Sequence, residues 1–521
     1  MDLVMAQNIV GASNSGSLYA VFRQAWDLSA PFVETVDGRC WTYADLDHIT
    51  AHCSRQLQSA GLVKGDRLVS QLDRSPWNLF LYLACLRAGI IYVPISPQMT
   101  PPEAAPILAD AEPAAVVCAP QLEEANRTLV RDTAAVVLTL DTEGEGSLAA
   151  VPADARFAPD ADVDSAATAA IVFTSGTTGR PKGAVLPHVH LWTKAGALAQ
   201  TLGYRRDDKL LHTMPLYHAH GLFMTTHCVL KAGASMLLLP RFEAGDVIDR
   251  LPSVTLFSGV ATMYKRMLGL PSLRENARGI RAFIAGSAPL PADLFLAFEE
   301  QSRHQIIECW GMSETMTNTA NPLHGPRKPG SAGKPLPGVE VRVVDETGEP
   351  CAPGKPGVLS VRASTRFDGY WRRPEAEQPR FDDGFFPTGD LGYFDPEGYL
   401  FIVGRTGDVI ISGGYNVYPR EVELALEQID GVQKAAVFGL PHPDYGEAVA
   451  AAIERTPGST IGSQDAVAHL KQCLASYKAP KALFIVDSLP LTELGKIQRR
   501  VLADRFRAHF LQPESTVRAN Q

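Results

Sequence analysis

The stretch Ile171–His188, IVFTSGTTGRPKGAVLPH, carries the most specific local pattern in the sequence. An apolar run typical of a buried strand ends at Phe173, and a segment rich in glycine and hydroxyl side chains follows before a helical stretch resumes. Glycines let backbone N–H groups converge, hydroxyls add donors, and Lys182 adds a positive charge. These are the parts of a phosphate-binding loop, although the spacing is not that of P-loop nucleoside triphosphatases. A flexible surface loop is the structural alternative.

The residues before this stretch alternate between helical and strand patterns. Apolar residues recur at helical spacing between Leu46 and Leu57, and short apolar runs at 114–118, 135–140 and 169–173 are typical of buried strands. This alternation predicts an α/β fold whose large N-terminal domain has helices on both faces of largely parallel sheets.

The pattern changes in the last third of the chain. Segment 322–338 contains five prolines and four glycines, which excludes a helix or a central strand. Alternating apolar patterns at 339–345 and 357–363 predict a small β-subdomain, and the helix and strand patterns that follow predict a compact α+β domain. We expect an N-terminal domain over residues 1–404 and a C-terminal domain over 405–521.

Composition excludes several classes of protein. The chain has 521 residues, 45% of them hydrophobic, which predicts several domains with ordinary cores rather than a disordered, collagenous or coiled-coil chain. The 48 basic and 57 acidic residues give a net charge of −9, which argues against a nucleic-acid or anionic-membrane surface. The eight cysteines form no C-x-x-C pair, no signal sequence is evident, and no apolar run approaches the ~18 residues of a membrane span. We therefore expect a soluble, cytoplasmic protein with no membrane span.

Four motifs in a fixed order resemble those of the adenylate-forming superfamily, which includes acyl-CoA synthetases, luciferases and nonribosomal-peptide adenylation domains. They are TSGTTGRPKG at 174–183, CWGMSET at 309–315, the stretch that begins PTGDLGYF at 387–423, and LTELGKIQRR at 491–500. The resemblance implies that the substrate is a small-molecule carboxylic acid. It also implies that the reaction uses ATP, Mg²⁺ and coenzyme A. It also implies a mobile C-terminal domain that rotates about Gly407.

The resemblance assigns most of the motif residues to ATP. The residues of the phosphate loop are Thr174, Ser175, Gly176, Thr177, Thr178, Gly179 and Lys182. The residues around the adenine are Gly286, Ser287, Ala288, Trp310, Gly311, Met312 and Ser313. Asp390 and Arg405 resemble the pair that binds the ribose, although an Asp in such a turn is also common as a structural Asx-turn.

The remaining assignments concern catalysis and the second substrate. Lys496 resembles the lysine that reaches the α-phosphate and the attacking carboxylate, where a cation stabilises a transition state formed from two anions. With Thr178 and Glu314 it forms the predicted catalytic set, and Glu314 is also the predicted Mg²⁺ ligand. Gly413 and Gly414 resemble the loop that flanks the pantetheine tunnel of coenzyme A.

Two stretches are expected to line the acid pocket by resemblance, 215–223 and 257–268. Within the first, His218 occupies the position of a pocket-gating histidine. Ser287 is expected to contact the acid as well as the adenine. An isolated histidine is more often a satisfied core residue, which is the structural alternative for His218.

Arg266 is the feature that indicates the substrate class. If this segment is a helix, Arg266 lies about 60° around the helix axis from Met263, toward an apolar stripe of Met263, Met267 and Leu270. An arginine on such a stripe needs an anionic partner. Malonyl-CoA synthetases resemble this chain in PLYHxHGLF, in xGSAPL, in TNTANP and in a basic residue after the tyrosine of the helix. There the arginine binds the carboxylate that is not activated, although Ala261 stands here where those enzymes usually have proline.

The sequence thus predicts an AMP-forming acyl-CoA synthetase for malonate or methylmalonate. The alternatives are a medium-chain or aryl acid–CoA ligase, an adenylation enzyme that loads a separate carrier protein, and a nucleotide-binding protein without catalysis. The protein is expected to be a monomer or a homodimer.

Overall fold

A computed structural model describes the chain at residues 16–174, 181–345, 347–374, 381–412, 415–443, 445–474, 477–492 and 495–510. The chain forms two compact units: residues up to 341 with 361–386, and residues 342–360 with those from 387 onward. The expected boundary between 404 and 405 differs from this division, and it stays a prediction.

The first unit alternates strands and helices, as the sequence predicts. Its strands are β1 (Pro31–Thr35), β2 (Cys40–Thr42), β3 (Arg67–Gln71), β4 (Ile91–Pro94), β5 (Ala115–Cys118), β6 (Val136–Thr139), β7 (Thr168–Thr174), β8 (Lys182–Pro187), β9 (Lys209–His212), β10 (Ser235–Leu238), β11 (Leu256–Gly259), β12 (Ala282–Ala285), β13 (Ile306–Met312), β14 (Met316–Ala320) and β15 (Lys334–Pro335). Its helices are α1 (Leu18–Arg23), α2 (Tyr43–Ser59), α3 (Pro76–Ala88), α4 (Pro101–Ala111), α5 (Glu123–Val130), α6 (His188–Thr201), α7 (His227–Ala232), α8 (Ala244–Arg250), α9 (Ala261–Met267), α10 (Leu273–Asn276) and α11 (Ala292–Ser302). A π-helix spans His220–Thr226.

These strands form two sheets. One has six strands in the order β6-β5-β3-β4-β7-β8, all parallel except the antiparallel β7–β8 hairpin. The other has nine strands in the order β15-β14-β13-β12-β11-β9-β10-β1-β2 and is parallel from β13 to β1. Because parallel strands end at the same edge of a sheet, the segments that follow β9, β11 and β12 gather at one edge.

Local sequence explains where the helices begin. At the start of α2 the Thr42 hydroxyl accepts a hydrogen bond from the Asp45 backbone N–H, and the Asp45 carboxylate accepts one from the Thr42 N–H. This reciprocal pair is a capping box, which satisfies N–H groups that have no partner within the helix. Just beyond the end of α2, Gly61 adopts a φ of +98°, a left-handed conformation that favours glycine.

The second unit contains most of a small sheet and all of a compact α+β region. Its strands and those at its edge are β16 (Val339–Val344), β17 (Gly357–Ala363), β18 (Phe386–Phe394), β19 (Leu400–Arg405), β20 (Ile410–Ser412), β21 (Tyr415–Val417), β22 (Val432–His442), β23 (Gly446–Arg455) and β24 (Ala482–Val486). Its helices are α12 (Pro419–Glu427), α13 (Ser463–Cys473) and α14 (Arg499–Phe506). Strands β16 to β19 form one sheet in chain order, and β20 to β24 form another, in which β23 pairs with β20, β22 and β24.

The α/β fold class with a smaller second domain is confirmed, and one local prediction is wrong. The stretch after Lys182 is strand β8 rather than the start of a helix, and α6 begins only at His188. The glycine-rich loop therefore joins two antiparallel strands. None of the described helices combines the length and apolar character needed to cross a bilayer.

Candidate active site

The two ends of the phosphate-loop motif lie side by side in the β7–β8 hairpin. Thr174 and Lys182 pair directly across the two strands, and the Thr174 hydroxyl donates to the Lys182 carbonyl at 3.4 Å. The hairpin fixes where the loop leaves and rejoins the sheet. The predicted loop residues between them, Ser175, Gly176, Thr177, Thr178 and Gly179, lie outside the described residues.

Tyr370 connects two predicted site residues that are far apart in the sequence. Its hydroxyl donates to the Glu314 carboxylate at 3.0 Å, and the Lys182 ammonium lies 5.4 Å from the centroid of its ring. Burial, reinforced by the Glu314 carboxylate, raises the pKa of Tyr370 well above its usual value, so the hydroxyl stays protonated and donates. The structure thus brings the predicted phosphate-binding lysine and the predicted Mg²⁺ ligand to one aromatic ring.

The segment that carries Tyr370 is paired along the outer edge of β8. The Trp371 N–H donates to the Gly183 carbonyl at 2.8 Å, and the Asp368 N–H donates to the Val185 carbonyl at 2.9 Å. The Arg373 guanidinium adds a bond to the Pro181 carbonyl at 2.7 Å. Tyr370 was not predicted from the sequence, because only this long-range pairing brings residues 369–371 beside the loop.

The predicted adenine-binding residues lie at the end of β13 (Trp310, Gly311 and Met312) and at the start of the turn that leads to β14 (Ser313). Trp310 is buried, and Glu314 at the turn is buried as well. A side chain at Gly311 is excluded, because its Cβ atom would lie 2.1 Å from the Met316 carbonyl oxygen. The close approach of the two strands therefore requires glycine in this motif.

Gly286, Ser287 and Ala288 follow β12 at the strand-end edge, and Ser287 contacts a buried histidine. The Nδ1 atom of His220 lies 3.1 Å from the Ser287 hydroxyl, and its Nε2 atom lies 2.8 Å from the Ser258 hydroxyl. Burial lowers the pKa of His220 to about 3, so the ring is neutral, with one nitrogen donating and the other accepting. Ser287 has a φ of +69°, a strained conformation of the kind that functional sites retain.

The two residues expected to contact the acid differ in exposure. His218 is half-buried, and its Nδ1 atom accepts from the His220 backbone N–H at 3.4 Å. Arg266 is exposed on α9. The buried face of this helix is formed by Tyr264 and Met267, and the helix ends at Met267, so Leu270 lies outside the expected apolar stripe. Within the described part of the chain, no carboxylate forms an ion pair with Arg266.

The second unit brings the predicted ribose pair together. Asp390 and Arg405 face each other across β18 and β19, and the Arg405 Nε donates to the Asp390 carboxylate at 2.8 Å. Asp390 is buried, and its backbone N–H donates to the Thr388 hydroxyl at 3.1 Å. Arg405 is exposed, so the pair presents a buried carboxylate beside an accessible cation.

Lys496 lies in a tight turn of the second unit. The Thr492 N–H donates to the Lys496 carbonyl at 2.8 Å, and the Lys496 N–H donates to the Thr492 hydroxyl at 3.1 Å. The Lys496 side chain is exposed at this turn. The predicted coenzyme A residues Gly413 and Gly414 lie outside the described residues.

Arg499, three residues after Lys496, anchors this turn to the rest of the unit. Its guanidinium lies 2.7 Å from the fully buried Glu423 carboxylate and 3.1 Å from the Asp408 carboxylate. Asp408 follows Gly407, the predicted pivot. Arg499 lies within the motif at 491–500, but the resemblance assigns it no role.

Comparison with known proteins identifies the family of this chain. A family model described as AMP-binding enzyme matches residues 22–371, and one described as AMP-binding enzyme C-terminal domain matches residues 421–496. A feruloyl-CoA synthase of an Amycolatopsis species is 34% identical over 90% of this chain and 94% of its own length. The mitochondrial malonate–CoA ligase ACSF3 of Xenopus laevis is 32% identical over 82% of this chain and 81% of its own length.

Solved structures give the same result. The ATP-bound MatB of Rhodopseudomonas palustris has 39% sequence identity and a TM-score of 0.91, covering 95% of this chain and 100% of that one. The predicted superfamily is thereby confirmed. The chain belongs to the AMP-binding enzyme family and is an ATP-dependent, AMP-forming acyl-CoA ligase.

Proposed function

We propose that the acid activated by this ligase is a short dicarboxylic acid, malonate or methylmalonate. One carboxylate attacks the α-phosphate of Mg·ATP to give an acyl-adenylate and pyrophosphate. Coenzyme A then attacks the acyl carbon and displaces AMP. We further propose that the enzyme acts in the cytoplasm.

The exposure of Arg266 without a described carboxylate partner is the observation that carries this proposal. Arg266 is exposed on a short helix, and no described carboxylate pairs with it. The same helix begins at the strand-end edge, where the Met263 sulfur lies 3.8 Å from the Thr213 hydroxyl. A planar guanidinium matches a carboxylate with two parallel hydrogen bonds, so Arg266 is suited to hold the carboxylate that does not react.

The polar character of the strand-end edge supports a small polar acid over a long alkyl chain. His220 with its two serine partners, Ser258 and Ser287, provides neutral hydrogen-bonding groups there. The Ser287 hydroxyl keeps hydrogen-bonding capacity beyond its contact with His220, and a polar acid can use that capacity whereas an alkyl chain cannot. ACSF3 is named a malonate–CoA ligase, which is consistent with this proposal. An aryl acid is the alternative substrate, because another relative is named a feruloyl-CoA synthase.

We propose that Glu314 helps to hold the Mg²⁺ of Mg·ATP. Magnesium prefers oxygen ligands and usually takes one or two carboxylates together with waters and substrate phosphates. The residues fit this requirement, because Glu314 is a buried carboxylate fixed by Tyr370. The described residues include no cluster of three His, Cys, Asp or Glu side chains that would hold a metal without the substrate.

The other charged groups have complementary roles in this proposal. Lys182 would neutralise the β- and γ-phosphates, and Asp390 would accept hydrogen bonds from the ribose hydroxyls. Lys496 would place a cation between the α-phosphate and the attacking carboxylate. Two anions approach each other in this step, so a positioned cation lowers its barrier.

A pair of substitutions on one helix tests the proposal. Replacing Arg266→Ala should lower kcat/KM for malonate by about 30- to 1,000-fold, the effect of losing a charge-assisted bidentate contact. Lys265→Ala removes an exposed cation from the neighbouring position and should change kcat/KM less than threefold. An equal change in kcat/KM for malonate in the two variants would contradict the assignment of Arg266.

A further inference from the structure

A small cavity lies in the first unit, in contact with the turn that follows Glu314. It encloses about 10 Å³, room for a single water molecule or a monatomic ion. Its polar lining comes from His190 and Lys194 of α6, Thr315, Thr365 and Arg366. No carboxylate is among the described residues that line it.

Lys194 is buried in this cavity with few protein contacts. Its side chain is 4% exposed, and among the described residues its ammonium reaches only the Thr317 carbonyl at 3.5 Å and the Asn318 side-chain oxygen at 3.4 Å. Burial lowers the pKa of Lys194 to about 7, with no contribution from a nearby carboxylate. An ammonium with three protons and two distant neutral acceptors is poorly compensated in a protein interior.

The cavity also gathers hydrogen-bonding groups that lack partners within the described chain. The hydroxyl oxygen of Thr365 makes no hydrogen bond there, and the fully buried ring of His190 has the backbone of Thr365 and Glu314 beside it in the described chain. The Thr315 hydroxyl accepts from the Asn318 amide at 2.7 Å, which leaves its own proton to donate. Native proteins rarely leave several such buried groups unsatisfied at one place.

We propose that this cavity is a binding site for a monatomic anion, with chloride as the physiological occupant. The anion would accept hydrogen bonds from Lys194 and from the hydroxyls of Thr315 and Thr365. It would also supply the negative charge that no described side chain provides. The small volume favours a monatomic ion over phosphate, sulfate or a carboxylate, because each of these carries several oxygens and needs more room.

The site differs from the one proposed for ATP and the acid, although the two are physically linked. Lys194 holds the backbone and side chain of β14 residues Thr317 and Asn318, and Asn318 in turn bonds to Thr315, the neighbour of Glu314. An anion here would make Lys194 permanently cationic and stabilise the turn between β13 and β14.

Crystals of the full chain grown in sodium bromide test the proposal directly, since bromide replaces chloride and is located by its anomalous scattering. An anomalous peak beside the Lys194 ammonium and the Thr365 hydroxyl is the expected result. A cavity that holds water with no anomalous signal, or that is filled by side chains, would overturn it.

A solution experiment tests the same site without crystals. The Tm of the wild-type enzyme is measured as sodium chloride replaces sodium methanesulfonate at constant ionic strength, and it should rise by about 1–3 °C at chloride well above its Kd. Lys194→Met should abolish the rise, whereas Lys355→Met, which removes an exposed lysine, should keep it. If Lys194→Met does not fold, Thr365→Val serves as the second variant. A rise that persists in a folded cavity variant, or no rise in the wild type, would contradict the proposal.

Discussion

The hydroxyl of Tyr370 donates a 3.0 Å hydrogen bond to the carboxylate of Glu314, although 56 residues separate the two in sequence. The Tyr370 ring also lies beside the Lys182 ammonium. One residue from outside the recognisable motifs therefore orients two residues within them. This arrangement allows the role of Glu314 to be tested without removing its charge.

Tyr370→Phe keeps the ring against Lys182 and removes the hydroxyl that donates to Glu314. A hydrogen bond to a charged group contributes about 1.5–3 kcal/mol, so kcat should fall about 10- to 100-fold. The Mg²⁺ concentration for half-maximal activity should rise, because the carboxylate loses its fixed orientation. AMP release across a Mg²⁺ titration measures both effects. An unchanged Mg²⁺ dependence would show that Tyr370 does not orient a metal ligand.

Arg499→Met should destabilise the C-terminal part of the second unit. It removes the closer of the two cations beside the fully buried Glu423 and leaves Arg420 at 3.6 Å, so the expected cost is about 1–3 kcal/mol. Hydrogen exchange of the amides of α12 and β22 reports the local opening free energy, which avoids assuming two-state unfolding of the whole chain.

The neighbouring residue provides the control for this prediction. Arg500 is exposed, and its nearest carboxylate, Asp504, lies 4.0 Å away. Arg500→Met should change exchange in the same peptides by less than about 0.5 kcal/mol. Similar protection in the two variants would mean that Arg499 does not anchor this unit.

Stability should fall in mildly acidic solution because of buried histidines. Burial lowers the pKa to about 4 for His188 and His212, and to about 3 for His190, His220 and His227. Between these values and the ordinary pKa of about 6.5, the unfolded chain binds protons that the folded chain does not. Each histidine can therefore remove up to about 1.4 kcal/mol per pH unit from the unfolding free energy as the pH decreases.

Urea unfolding at pH 7 and pH 5, at the same ionic strength, measures this dependence. The midpoint should be clearly lower at pH 5. Equal midpoints would mean that these rings are accessible to protons in the folded protein.

Local patterns predicted much of the fold. The helix and strand patterns in the last third of the chain predicted a compact α+β region, and the structure has one there, with α12 at Pro419–Glu427 and β24 at Ala482–Val486. Such elements can be read from the sequence because their apolar residues recur at a helical or strand spacing within one short segment. The ordered motifs likewise identified the family.

The errors arise where distant segments decide the structure. Residues 182–187 form a strand because they pair with β7 on one side and with the segment around Tyr370 on the other. Neither the pairing nor the contact of Tyr370 with Glu314 leaves a local signal. The apolar stripe predicted beside Arg266 assumed that the helix continues to Leu270. Because α9 ends at Met267, Leu270 lies outside the helix.

ATP- and CoA-dependent AMP release by the purified enzyme, with a panel of acids, tests the central claim most directly. The panel contains malonate, methylmalonate, succinate, acetate, octanoate, benzoate and ferulate. We expect the highest kcat/KM for malonate or methylmalonate, with a marked loss for acetate, which lacks the second carboxylate. A higher kcat/KM for octanoate, benzoate or ferulate would preserve the ligase chemistry but contradict the dicarboxylate assignment and the role of Arg266.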